Sequence, residues 1–99
     1  MSTPWPNVES TTTVVTSVTV TNVLVTLLAA NPKRVAFKLS HMGVERVFVQ
    51  FGPSASAALP TFYLDPLDYY ESYVGEYNGE VTAISVSDNF NDMKITEEI

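Results

Sequence analysis

Short runs of β-branched and aromatic residues, cut by turn residues about every eight to twelve positions, constrain this chain more than any other feature. No run carries the 3.6-residue apolar period of a long helix. Residues 11–21 alternate Thr or Ser with Val, which predicts a strand with one apolar and one hydroxyl-rich face. Residues 22–30 form a second extended segment, ended by Asn31-Pro32-Lys33, where proline fixes its own φ and removes a backbone donor. In residues 34–40, Val35, Phe37 and Leu39 face one way and Ala36, Lys38 and Ser40 the other. His41-Met42-Gly43-Val44 reads as a turn, and residues 46–51 place Val47, Val49 and Phe51 inward. Residues 34–51 are therefore predicted to form a β-hairpin whose six apolar residues share one buried layer.

The second half repeats the pattern. Residues 52–58 are small and polar, a loop, and residues 61–65 are a short strand ended by Asp65-Pro66. Residues 69–77 and 80–86 flank Asn78-Gly79, a strong hairpin signal. A helix around residues 66–73 is compatible with the sequence but not required. Residues 87–92 turn, and residues 93–96 close the fold with Met93 and Ile95 on one face. The expected class is all-β: a small antiparallel β-sandwich of about seven or eight short strands, immunoglobulin-like or jelly-roll-like.

Length allows one domain: residues 11–99 as the sandwich, residues 1–10 as an extended N-terminal arm. With 45% hydrophobic and 16% charged residues, the chain belongs to the globular class, not the disordered one. There is no cysteine, hence no disulfide and no thiolate site. The opening residues show no basic and apolar signal-peptide pattern. The longest apolar stretch, residues 23–30, includes Thr26 and is far short of the ~20 residues of a membrane helix. A net charge of −6 points away from nucleic acid. Lys33, Arg34, Lys38 and Arg46 lie close together in sequence, while nine of the eleven acids lie from Asp65 onward. The plain expectation is a solvated acidic surface with a few surface cations; the sharper one is a basic pole that meets an acidic partner.

Catalytic chemistry is sparse. His41 is the single histidine and sits in a predicted solvent-facing turn, poorly placed for a Ser-His-Asp site, and no serine stands in a Gly-x-Ser-x-Gly setting. Asp65 with Asp68 and Asp88 with Asp92 sit in turns rather than across a cleft. Residues 88–92 superficially suggest a calcium loop, but Phe90 occupies the third position and the central glycine is missing. No cofactor, metal site or enzymatic activity is expected. Tyrosines stand out: Tyr63, Tyr69, Tyr70, Tyr73 and Tyr77 suit core or edge packing, a protein interface, or sugar stacking. Trp5, between Pro4 and Pro6, suits anchoring in a partner's pocket. The interface candidates are Trp5, Lys33, Arg34, Lys38, Arg46, Tyr69, Tyr70 and Tyr73.

The order of motifs adds a resemblance. Leu27-Leu28-Ala29-Ala30-Asn31-Pro32-Lys33-Arg34 leads into the alternating strand, followed by residues 47–52 ending at Gly52 and by Gly79-Glu80-Val81-Thr82-Ala83-Ile84-Ser85. Over roughly residues 18–97 this resembles the small β-sandwich virion proteins of tailed bacteriophages. Pro66-Leu67 departs from the Pro-Gly turn common there. The resemblance implies a non-enzymatic structural protein, made in the host cytoplasm and carried on the outer surface of the head or on the tail. Capsid decoration, cement or head-fibre-base proteins that bind the major capsid lattice are the leading type. Tail- or neck-associated accessory proteins and host-surface glycan-binding modules are the alternatives. The expected partners are the major capsid protein or another virion protein, together with further copies of the chain in a homo-oligomer, with no nucleic acid or membrane.

Overall fold

The computed structural model describes residues 12–99, so the expected N-terminal arm, residues 1–10, lies outside the described residues. Eight strands follow in order: β1 Thr13–Val20, β2 Val25–Leu28, β3 Ala36–His41, β4 Val47–Phe51, β5 Phe62–Leu64, β6 Tyr69–Glu71, β7 Val81–Ser85 and β8 Asn91–Glu98. No helix occurs among the described residues, including residues 66–73. The strands form two four-stranded antiparallel sheets, β1-β8-β3-β6 and β2-β7-β4-β5. The pairs β1–β8, β2–β7, β3–β6 and β4–β5 are those of one long hairpin. It is rolled so that successive pairs fall in opposite sheets and are joined laterally by β3–β8 and β4–β7. This is the jelly-roll arrangement, so of the two sandwich topologies expected the second is found.

Both expected hairpins are corrected by this order. Residues 34–51 are not a hairpin, because β3 and β4 lie in opposite sheets, and neither are the runs around Asn78-Gly79, because β6 and β7 do too. The alternation had located the buried faces: Phe37, Leu39, Val47 and Val49 are buried, with Val35 and Phe51 half-buried. These residues meet face to face from two sheets instead of sharing one layer. The core also takes in Val20, Leu27, Leu28, Leu64, Val81, Ala83, Met93 and Ile95. On the β5–β6 side it is aromatic: Phe51 stacks on Tyr77 at 4.7 Å, Phe62 on Tyr70 at 4.6 Å, and Phe37 meets Phe51 edge-on at 5.8 Å.

Chain crossings between sheets bury polar backbone, and two side chains satisfy it. His41 was expected in an exposed turn and is fully buried instead. Its Nδ1 accepts the Gly43 N–H, and its Nε2 donates to the Glu45 carbonyl. Asn91, also fully buried, accepts the N–H groups of Val44 and Glu45 through Oδ1 and donates to the Val20 carbonyl. A Cβ on Gly43 would stand 2.6 Å from the Asn91 Cα, so this arch passes too close to β8 for a side chain there. At the opposite end Arg34 does the corresponding work. Its guanidinium donates to Glu97 at 2.8 Å, the Gly79 carbonyl at 2.9 Å and the Ala29 carbonyl at 2.6 Å. It also lies 5.6 Å from the centre of the Phe37 ring. These bonds offset the desolvation of a buried charge.

Candidate interaction surface

The corner where β5 passes to β6 is shaped by one turn. Asp65-Pro66-Leu67-Asp68 closes with the Asp68 N–H on the Asp65 carbonyl at 2.9 Å, while the Asp68 carboxylate accepts the Asp65 N–H at 3.0 Å. Proline at the second position and a positive φ at the third define a type II turn, whose third position favours glycine. Leu67 holds it with φ 73° and 79% of its surface exposed. A β-carbon in this left-handed region costs about 1–2 kcal/mol. The turn is fixed from beneath by the end of β3: the Leu67 N–H donates to the His41 carbonyl, and the His41 N–H to the Asp68 carbonyl, both at 2.9 Å. Buried His41 therefore anchors a strained and exposed apolar residue.

A cation capping a tyrosine flanks this turn on each sheet. The Arg46 guanidinium lies 3.9 Å from the centre of the Tyr63 ring and pairs with Asp65, Nε to Oδ1, at 2.7 Å. That hydrogen bond raises the Arg46 pKa and holds the Asp65 carboxyl below its ordinary value. On the other sheet the Lys38 ammonium lies 4.9 Å from the centre of the Tyr69 ring. Tyr63, Tyr69 and Tyr73 are all exposed. Arginine and tyrosine are enriched in interfaces, where a rigid ring contributes area at small entropic cost.

The expected site residues divide. Lys38, Arg46, Tyr69 and Tyr73 are exposed on the β5–β6 side of the molecule. Tyr70 points inward, half-buried against Phe62, and its hydroxyl donates to Glu76. Burial, and then this bond to a carboxylate, push its pKa up to about 12. Lys33 is exposed at the far end, on a turn in which Asn31 Oδ1 accepts its N–H at 3.0 Å. Arg34 is buried and presents no charge to a partner. Trp5 lies outside the described residues. The cations close in sequence thus form no single pole, since Lys38 and Arg46 stand on strands of opposite sheets or beside them. Leu67 and Asp65 were missed as site residues. The available signal was a proline followed by a non-glycine residue at a turn.

Other sites are plainer. A hollow of about 230 Å³ on the outer face of the β1-containing sheet, floored by Ala36 and rimmed by Lys38, Glu71 and Glu98, is smaller than the ~300–1,000 Å³ of ligand pockets. Among the described residues no group of three or more His, Cys, Asp or Glu side chains is placed to hold a metal. Comparison with known protein families, curated proteins and solved structures finds no match to this chain.

Proposed function

We propose that this protein is a non-enzymatic structural protein of a tailed-phage virion. In this reading it is a capsid decoration, cement or head-fibre-base protein that docks on the major capsid lattice through its β5–β6 corner. The observation that carries the reading is Leu67: an exposed leucine held in left-handed backbone between two cation-capped tyrosines. Strain of this kind persists where the surroundings over-determine it, and it clusters at working surfaces. Arg46 and the exposed Tyr63 and Tyr69, one tyrosine on each sheet beside the turn, are of the residue types enriched at interfaces. The motif order over residues 18–97 supports a virion role, and jelly rolls recur in viral capsid and lectin domains, a fold-level analogy. The lectin side of that analogy, with exposed Tyr69 and Tyr73, favours a second reading as a glycan-binding module on the host-facing surface. Attachment of the full chain to expanded phage shells tests the first reading. Leu67→Asp with Tyr69→Ala should weaken attachment at least about tenfold, or 1.4 kcal/mol. Undiminished attachment would remove the corner from the account. Retention on sugar arrays that is lost with Tyr69→Ala and Tyr73→Ala would favour the second reading.

A further inference from the structure

Four strands lie at the edges of the two sheets, and three of them are blunt. The β5 and β6 strands have three residues each, and β2 has four with a register shift between Thr26 and Leu28. The β1 strand differs: Thr-Val-Val-Thr-Ser-Val-Thr-Val runs for eight residues with no charge, proline, glycine or bulge. Such an edge offers a template for another strand, and proteins ordinarily guard against it.

Register identifies which groups are on offer. Thr12 and Ile99 exchange both backbone hydrogen bonds, at 3.0 and 2.8 Å. The unbroken pairing that follows makes Val14, Thr16, Val18 and Val20 the residues bonded to β8. The opposite set on β8 bonds to the β3 side, as the Val35 N–H on the Glu98 carbonyl and the Met42 N–H on the Asp92 carbonyl bear out. The N–H and C=O groups of Thr13, Val15, Ser17 and Thr19 therefore point to the outer edge, where no described strand pairs with them.

We propose that two copies of this chain join antiparallel through β1, with the two-fold axis at Thr16, merging two four-stranded sheets into one continuous sheet. An isologous interface needs a self-complementary strand, and this one qualifies. In that register Thr13 bonds Thr19 of the second copy and Val15 bonds Ser17 of the second copy, with roughly eight hydrogen bonds in all, two per narrow pair. Between them, on the core-facing side, Val14 meets Val18 of the second copy and Thr16 meets its own counterpart, favourable apolar and hydroxyl pairs. Val14, 38% exposed in one copy, gains an apolar partner on the core-facing side. The chain's net charge of −6 opposes association generally, but β1 brings no charge of its own to the edge. On the outer face beside it, Asp92 and Lys94 neutralise each other at 3.3 Å and are tied to the Ser17 hydroxyl. The inference holds whichever surface the β5–β6 corner docks on, because it uses the opposite edge of the sheet.

Sedimentation of the full chain across the micromolar range tests it without any virion component. A dimer is expected, and Val15→Pro should raise its dissociation constant at least about tenfold, since the proline removes an outward donor and leaves the β8 ladder intact. The chain has no cysteine, so one introduced thiol reports register. Thr16→Cys places two sulfurs across the axis with Cα atoms ~4.5 Å apart, inside the ~4.4–6.8 Å span of a disulfide. Val14→Cys separates them by far more than the ~7 Å limit. Rapid oxidation to a covalent dimer at Thr16 and not at Val14 supports the proposal. A monomer at every concentration, a dimer indifferent to Val15→Pro, or cross-linking at Val14 in place of Thr16 would overturn it.

Discussion

The two edges of the β1-β8-β3-β6 sheet are finished in opposite ways. At β6 the edge is three residues long, is ended by the strained Leu67 turn, and is clamped to the other sheet through Tyr70 stacked on Phe62 at 4.6 Å. At β1 it is eight residues long, and only its last part, Val18 and Val20, packs on the core. The first edge has its backbone hydrogen-bonding capacity cut short and its side chains displayed. The second has plain side chains and its backbone displayed. A sheet can therefore present two kinds of recognition surface at once, one read by side chains and one by main chain.

If the aromatic side holds the molecule together, truncation there should cost most. Phe37→Ala, which removes the ring between Phe51 and Tyr70, is expected to lose about 3–5 kcal/mol in a denaturant melt. Val18→Ala, under the β1 edge, should lose about 1 kcal/mol. Equal losses would break the contrast between the edges.

The β6 edge should also carry an alkaline signature. Tyr70 titrates near 10 when unfolded and is pushed up to about 12 in the fold. Its contribution is therefore complete below pH ~10 and is lost as pH rises toward ~12, because the unfolded chain gives up the proton first. Equilibrium melts should show stability falling across that window, and Tyr70→Phe should remove this part of the slope. A slope unchanged by the substitution would mean the hydroxyl is not held as described.

The turn at the same corner gives a smaller effect of the opposite sign. Leu67→Gly relieves the left-handed β-carbon and should raise stability by about 1 kcal/mol, part of the relief being offset by the entropy glycine loses on folding. A destabilised variant would show that packing of the Leu67 side chain outweighs its backbone strain. Smallest of all is the Arg46–Asp65 pair, both partners of which are 45% exposed. Asp65→Asn should leave the neutral-pH melting transition essentially where it is, because an exposed ion pair is screened by solvent. Because the Asp65 pKa is lowered in the fold, what the pair does contribute is present above the ordinary carboxylate range and is lost as pH falls below about 4.

Strand existence and buried faces were legible because side chains alternate with period two, as Phe37, Leu39, Val47 and Val49 illustrate. Strand partners were not. Period two identifies the face a residue occupies, but not the neighbour beside it. In a rolled hairpin only β4 and β5 are both consecutive and paired. The same ambiguity hid the polar ends of the core. Arg34 resembles a surface residue in the sequence because Glu97 and the Gly79 carbonyl reach it from distant segments, and His41 does because its partners, the Gly43 N–H and the Glu45 carbonyl, lie in an arch that period-two alternation does not describe. The candidate corner was half legible: Lys38, Arg46, Tyr69 and Tyr73 were marked by residue type, but Leu67 needed its backbone angle.

The central claim, that β1 is an open main-chain edge, is tested most directly by residue-resolved amide hydrogen exchange of the full chain at two protein concentrations. In dilute solution the amides of Thr13, Val15, Ser17 and Thr19 should exchange rapidly while those of Val14, Thr16 and Val18 stay protected by β8. At high concentration the four outward amides should become protected as well. Outward amides already slow at high dilution, or still fast at high concentration, would contradict the account.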